Sequence, residues 1–177
     1  MKIIILGCGR VGATLANMLS KSNHEVVIID QNGEAFDRLG DDFNGQTIIG
    51  DGTDEDILKR AGIETADAFA AVTNGDNRNI MSAQIVKHIF NVSNVVCRIY
   101  DPIRQETYNR LGLKSISPTT VGAKLMMKEI VDPDANGRSA IGSLATGASA
   151  STAPATAAAA PAASATAASA TPVAPRR

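Results

Sequence analysis

The chain is poor in the residues that usually announce chemistry. Its 177 residues include two cysteines and two histidines. Two thiols are too few for a disulfide framework, and they fit a reducing cytoplasm. Cys97 falls in an apolar run and reads as a buried thiol, Cys8 as a small residue that fits a glycine loop. His24, in a turn, and His88, on a helical pattern, each stand alone and read as surface residues. The sequence has no H-E-x-x-H, no nucleophile elbow, no paired-cysteine metal spacing and no P-loop lysine, and no catalytic acid–base pair can be named from it. No run approaches the roughly 20 apolar residues of a membrane span.

Acidic residues disappear towards the C-terminus. All 18 Asp and Glu precede Asn136, together with 14 of the 17 Lys and Arg. Residues 135–177 are mostly Ala, Ser, Thr and Pro, a composition that buries too little to offset ordering entropy, and they read as a disordered tail. Residues 1–134 read as one domain with net charge −4. That balance argues against a nucleic-acid binder, which needs a basic face.

What is present is a regular alternation. "KIIIL" (2–6), "EVVIID" (25–30), "QTIIG" (46–50), "AFAAV" (68–72) and "NVVCRI" (94–99) are short and continuously apolar, which predicts strands covered on both faces. "KSISP" (114–118) predicts a sixth. Between them, Val11, Leu15, Met18 and Leu19 fall on one helical face, and Ile80, Met81, Ile85, Val86 and Ile89 on another. Thr53 with Asp56 has capping-box spacing, Asp76 precedes the helix through Ile80, and a last helix is predicted over about 119–130. The pattern is α/β: a Rossmann-like, doubly wound, parallel six-stranded sheet with helices on both faces.

Gly7, Gly9 and Gly12 form G-x-G-x-x-G directly after the first strand and at the start of a helix, with Cys8, Arg10 and Val11 between them. The spacing permits a tight turn, close approach of backbone amides to phosphate, and helix-on-strand packing. Asp30 ends the second strand, where a carboxylate can take both ribose hydroxyls. It also repels a 2′-phosphate, and Gln31 and Asn32 supply no cation to hold one. Asp51, beside Gly52, could accept from an adenine amino group or simply shape a turn. Thr73 and Asn74 follow the fourth strand. Arg98 lies inside an apolar strand and needs a partner, a ligand phosphate or a carboxylate.

Together, "IIILGCGRVG", "VVIID", "IIGDGTDEDILKRAGIETAD", "AAVTNGDNRNIMSAQIVK", "VCRIYDP" and "SPTTVGAKLM" resemble the nucleotide-binding half of the RCK domain, also called TrkA-N. The resemblance covers about residues 1–130. It implies a cytoplasmic regulatory subunit of a Trk/Ktr-type potassium uptake system, placed at the inner face of the membrane by a membrane-embedded transporter subunit. It implies gating by bound ATP/ADP or NAD/NADH rather than catalysis. By resemblance, Gly7 to Gly12 hold phosphates, Asp30 holds ribose, Asp51 sits near adenine, and Thr73, Asn74 and Arg98 complete the pocket. Arg10 would reach a terminal phosphate, although a salt bridge is the alternative use for such a charge. Family members often carry a glutamate after the proline of the last block for divalent-cation binding; here Thr119 follows Pro118, so no metal is expected. Members also usually continue into a C-terminal lobe or a second copy of the module, and neither is read here. The alternative function is an NAD-linked oxidoreductase or redox sensor acting with a partner chain. The last helix carries Val121, Leu125, Met126, Met127 and Ile130 on more than one face, which predicts a homo-oligomer, at least a dimer.

Overall fold

Each continuous apolar run becomes a strand, those at 2–6 and 25–30 buried almost throughout, while the run at 46–49 lies largely exposed at the sheet edge, against expectation. A computed structural model gives the structure, and residues 1–131 are those described. The residues read as a tail lie outside the described residues. The strands are β1 (Lys2–Leu6), β2 (Glu25–Asp30), β3 (Gln46–Ile49), β4 (Ala68–Ala71), β5 (Asn94–Arg98) and β6 (Lys114–Ile116). All run parallel, in the order β3-β2-β1-β4-β5-β6. Ile4 of β1 pairs with Val27 on one side and Phe69 on the other. The order reverses between β1 and β4, and a crevice for ligands opens beyond the carboxyl ends of strands at such a switch point.

Alternate strand residues feed two cores. One gathers Ile4, Leu6, Val27 and Phe69 with Leu58 of α2 (Glu55–Arg60) and Ile80, Ala83 and Val86 of α3 (Asp76–His88). The other gathers Ile3, Ile5, Val26 and Ile28 with Ala13 and Ala16 of α1 (Arg10–Lys21) and Ala35 and Leu39 of a 3-10 helix, Gly33–Leu39. Two further helices, α4 (Pro102–Arg110) and α5 (Pro118–Val131), complete the described residues. Neither buries a residue of its own. On the α1 face the β4–β6 half of the sheet is left as an apolar groove of about 450 Å³, whose walls include Val11, Leu15, Ala70, Val96, Ile116 and Pro118.

Four expectations about local structure need correction. The inward residues of α1 are Gly12, Ala13 and Ala16, whereas Val11 and Met18 are exposed. The small residues bring the helix axis close to the sheet and push the larger ones to the flanks. On α3, Met81 and Ile89 are exposed while Asn79 and Ser82 take buried positions beside Ile80. The cap of α2 is Asp54, whose carboxylate accepts from the Asp56 N–H at 2.9 Å; Thr53 instead donates to Asp51. Asp76 is likewise not a cap. It begins α3 and accepts from the Tyr100 N–H at 2.9 Å.

The glycine loop is held by contact. Gly7 has φ +103°, and a Cβ on Gly12 would lie 1.8 Å from the Gly7 carbonyl oxygen. Gly12→Ala should therefore cost about 3 kcal/mol or more of stability, since backbone, not a movable side chain, is in the way. Urea denaturation of the two proteins measures this directly.

Candidate nucleotide site

A cavity of about 590 Å³ opens at the switch point, within the range of small-molecule sites. Its floor is the turn from β1 into α1. The loop is tied to the next strand by Asp30, whose Oδ2 accepts from the Cys8 N–H at 2.6 Å and whose Oδ1 accepts from the Asn32 N–H at 2.9 Å. The acid at the end of β2 thus fixes the turn as well as facing the cavity.

The N-termini of α2 and α4 are closed by side chains, α2 by Asp54 and α4 by Asp101, which accepts from the Ile103 N–H at 2.9 Å; α3, capped by Gly75 without a side-chain bond, carries Asp76 in its first turn. The N-terminus of α1 is different. Gly9 caps it with no side-chain bond, and its first turn holds no acid. Its free N–H groups and dipole remain available to an anion. Arg10, first residue of α1, is exposed on the cavity wall and has no hydrogen-bond or ion-pair partner among the described residues. Of the salt-bridge alternatives for this residue, a surface pair finds no partner among the described residues.

Opposite lies Arg98, at the end of β5. It is 8% exposed, its guanidinium donates to the Thr73 carbonyl, and its Cζ sits 4.3 Å from the centroid of the Tyr100 ring. No carboxylate among the described residues lies within 4.0 Å of it, and its Nε has no partner. A buried cation compensated only by a carbonyl and a ring face is a strong anion attractor. Of the two partners open from sequence, the carboxylate is not there.

Thr73 is positioned by Asn79, which is wholly buried. Asn79 Oδ1 accepts from the Thr73 N–H at 2.9 Å and its hydroxyl at 2.7 Å; Nδ2 donates to the carbonyls of Thr73 and Arg98, each at 3.0 Å. All four bonds of this amide are made inside the protein.

Of the residues singled out from sequence, Gly7, Cys8, Gly9, Arg10, Val11, Asp30, Gln31, Gly52, Thr73, Asn74 and Arg98 all line the cavity. Gly12 and Asp51 do not. Gly12 packs under the loop, and the Asp51 carboxylate is turned to Thr53 and Gln31. The Thr53 backbone N–H holds its carboxyl below the usual range, aided by the Thr53 hydroxyl, Arg78 and Gln31 against a desolvation cost. The lining residues that sequence did not single out include Arg38, Arg78 and Tyr100. Arg38 rides on the 3-10 helix and Arg78 on α3, so the two come to the cavity from opposite faces of the sheet. Burial pushes the Cys8 thiol up to about 11, reinforced by Asp30, which keeps it a protonated, poor nucleophile at neutral pH. Among the described residues no group of three or more His, Cys, Asp or Glu gathers that could hold a metal ion, and no helix is long and apolar enough to cross a membrane.

The profile of the TrkA-N domain matches residues 3–118. The chain belongs to the TrkA-N domain family. Curated relatives include a Trk system potassium uptake protein TrkA of Streptomyces coelicolor, 45% identical over 76% of this chain and 60% of the relative. A TrkA homolog of Pyrococcus abyssi is 35% identical over 75% of this chain and 61% of the relative. The chain thus spans about 60% of the length of these relatives. Among solved structures, the TrkA-N domain of inner membrane protein ybaL from Escherichia coli superposes with TM-score 0.63 at 19% identity, over 72% of this chain and 94% of that one. A Kef C-terminal domain of Shewanella denitrificans, solved in an AMP-bound form, gives 0.65 at 20% identity, over 82% of this chain and 88% of that one. A GsuK channel bound to NAD gives 0.56 at 20% identity, over 66% of this chain and 21% of that one. These likenesses establish the TrkA-N fold here.

One consequence of this TrkA-N geometry concerns the unpaired arginine. Arg98→Met orphans no acceptor, because the Thr73 carbonyl keeps its bond from Asn79. The variant should retain stability or gain about 1–2 kcal/mol from losing a buried charge. Pyrophosphate should raise the melting temperature of the parent protein and leave that of Arg98→Met unmoved, as read by calorimetric melting with and without the anion.

Proposed function

We propose that this TrkA-N domain is the cytoplasmic, nucleotide-binding regulatory part of a Trk/Ktr-type potassium uptake system, gating a membrane-embedded transporter subunit according to the adenine nucleotide it holds. The observation that carries the reading is Arg98, a buried cation without a carboxylate partner, across the switch-point cavity from an open helix N-terminus. Such a cavity suits a ribonucleotide with linked phosphates: backbone amides of the loop and Arg10 for the phosphates, Asp30 for the ribose. ATP/ADP and NAD/NADH are the proposed ligands, in keeping with solved neighbours in AMP-, NAD- and ADP-bound forms. Potassium uptake is drawn from the relatives' names. The domain acts as a regulator, not an enzyme; no residue at the cavity is arranged as an acid–base pair, and Cys8 is a protonated thiol.

The test is selective loss. A γ-phosphate adds charge beside the loop, so Arg10→Ala should weaken ATP about 5- to 100-fold, ADP less, and NAD little, its bridged phosphates being held by backbone. Calorimetric titration gives the affinities, and potassium uptake in cells carrying the variant should lose its dependence on nucleotide. Equal losses for the three ligands would leave Arg10 a general electrostatic role, and nicotinamide turnover would return the oxidoreductase alternative.

Assembly belongs to the same proposal. Val121, Leu125, Met126, Met127, Ile130 and Val131 of α5 are all exposed, so the helix does not pack on its own sheet, and no described residue fills the apolar groove beside Pro118. A second copy of the chain is the proposed occupant, giving at least a dimer. Sedimentation at micromolar concentration should show a dimer or larger species, and Leu125→Glu should shift it to a monomer with the fold retained.

A further inference from the structure

Asp51 stands outside the cavity, yet it controls a group that lines it. The Gln31 side chain is part of the cavity wall, and its Nε2 donates to Asp51 Oδ2 at 2.6 Å. Asp51 Oδ1 is taken by the N–H and hydroxyl of Thr53, at 2.9 and 2.8 Å. A carboxylate only accepts, so it dictates which end of the amide faces it. Gln31 must offer Asp51 its N–H2 end, and its Oε1 is left with no partner among the described residues. We propose that Gln31 selects adenine over guanine by presenting Oε1 to the 6-amino group of the base, and that Asp51 is the positioning residue that locks the amide in this sense. The proposal rests on the reading of the cavity as a nucleotide site.

The chemistry is a matter of matched ends. Adenine carries a donor at position 6, where guanine carries a carbonyl. Against guanine, Oε1 would meet another acceptor; turning the amide to relieve that would set oxygen against the Asp51 carboxylate. Ionisation of Asp51 is favoured by the Thr53 N–H and by Arg78 across the cavity, which keeps the lock set at neutral pH. The site discriminates by what it leaves unpaired as much as by what it pairs.

Asp51→Asn tests this without disturbing the turn. Asparagine Oδ1 still accepts from Thr53, while Nδ2 now donates; Gln31 must answer with Oε1 and turn its N–H2 end to the cavity. The parent chain should bind ATP about tenfold or more tightly than GTP. In Asp51→Asn that ratio should fall about tenfold or invert, while Gln31→Leu, at an exposed position, should bring it close to one. ITP, which has guanine's 6-carbonyl without its 2-amino group, should follow GTP in all three proteins. An ATP:GTP ratio unchanged in both variants overturns the proposal. Equal binding of ATP and GTP by the parent chain overturns it too, while leaving the nucleotide-regulated function intact. Failure of the parent to bind ATP, ADP, NAD or GTP overturns both.

Discussion

The shape of the cavity depends on one buried side-chain amide. Asn79 is sealed from solvent on α3 and spends both donors and its acceptor on the loop after β4 and the end of β5. An amide in that setting is costly unless every bond is made, and here every bond is made to the backbone or hydroxyl of residues that wall the cavity. The loop at Thr73 and the strand end at Arg98 are thereby fixed to each other. Arg98 can then reach back to the Thr73 carbonyl and rest on Tyr100 without an acid of its own. An apolar residue at position 79 would fill the same core and strip the Thr73 N–H, the Thr73 hydroxyl and the Arg98 carbonyl of this partner, leaving the Thr73 carbonyl to Arg98 alone.

Around this pin the electrostatics run against the overall charge. The segment before Asn136 carries more acids than bases, yet among the described residues Arg10, Arg38, Arg78 and Arg98 line the cavity with Asp30 as the one acid. The helix ends follow the same division. Asp54 and Asp101 neutralise the N-termini of α2 and α4, while glycine leaves that of α1 open. A low-dielectric cleft lined this way concentrates anions.

Much of this was legible in the chain, for reasons that differ by residue. Strands such as β1 and β2 could be read because burial on both faces leaves continuous apolar runs, and the order of elements followed from their alternation. The loop Gly7 to Gly12 and Asp30 could be read because their spacing is local. What periodicity does not encode is which residues pack closest. It favoured Val11 and Met18, where Gly12, Ala13 and Ala16 face the sheet. Helix α4 left no apolar stripe because none of its residues is buried. Arg38, Arg78 and Tyr100 come from separate elements and sit at no recognisable interval, so only the fold brings them together. Asp51 was noticed for its place after β3, but its bond to Gln31 links positions 20 residues apart and gives it a different part. Asn79 had one available sign, a polar residue beside Ile80 on the helix's inward side.

The cavity and the bare groove share walls. Val11, Val72, Arg98 and Pro118 face both, and Pro118 is the first residue of α5. A body seated in the groove and a phosphate seated in the cavity would touch the same side chains from two sides, so any shift one made in them would change the seating of the other. Thermodynamic linkage makes that dependence mutual: whatever factor the anion adds to the groove's affinity, the groove's occupant returns to the anion. The cavity at the glycine loop and the groove at the foot of α5 thus meet across four shared residues.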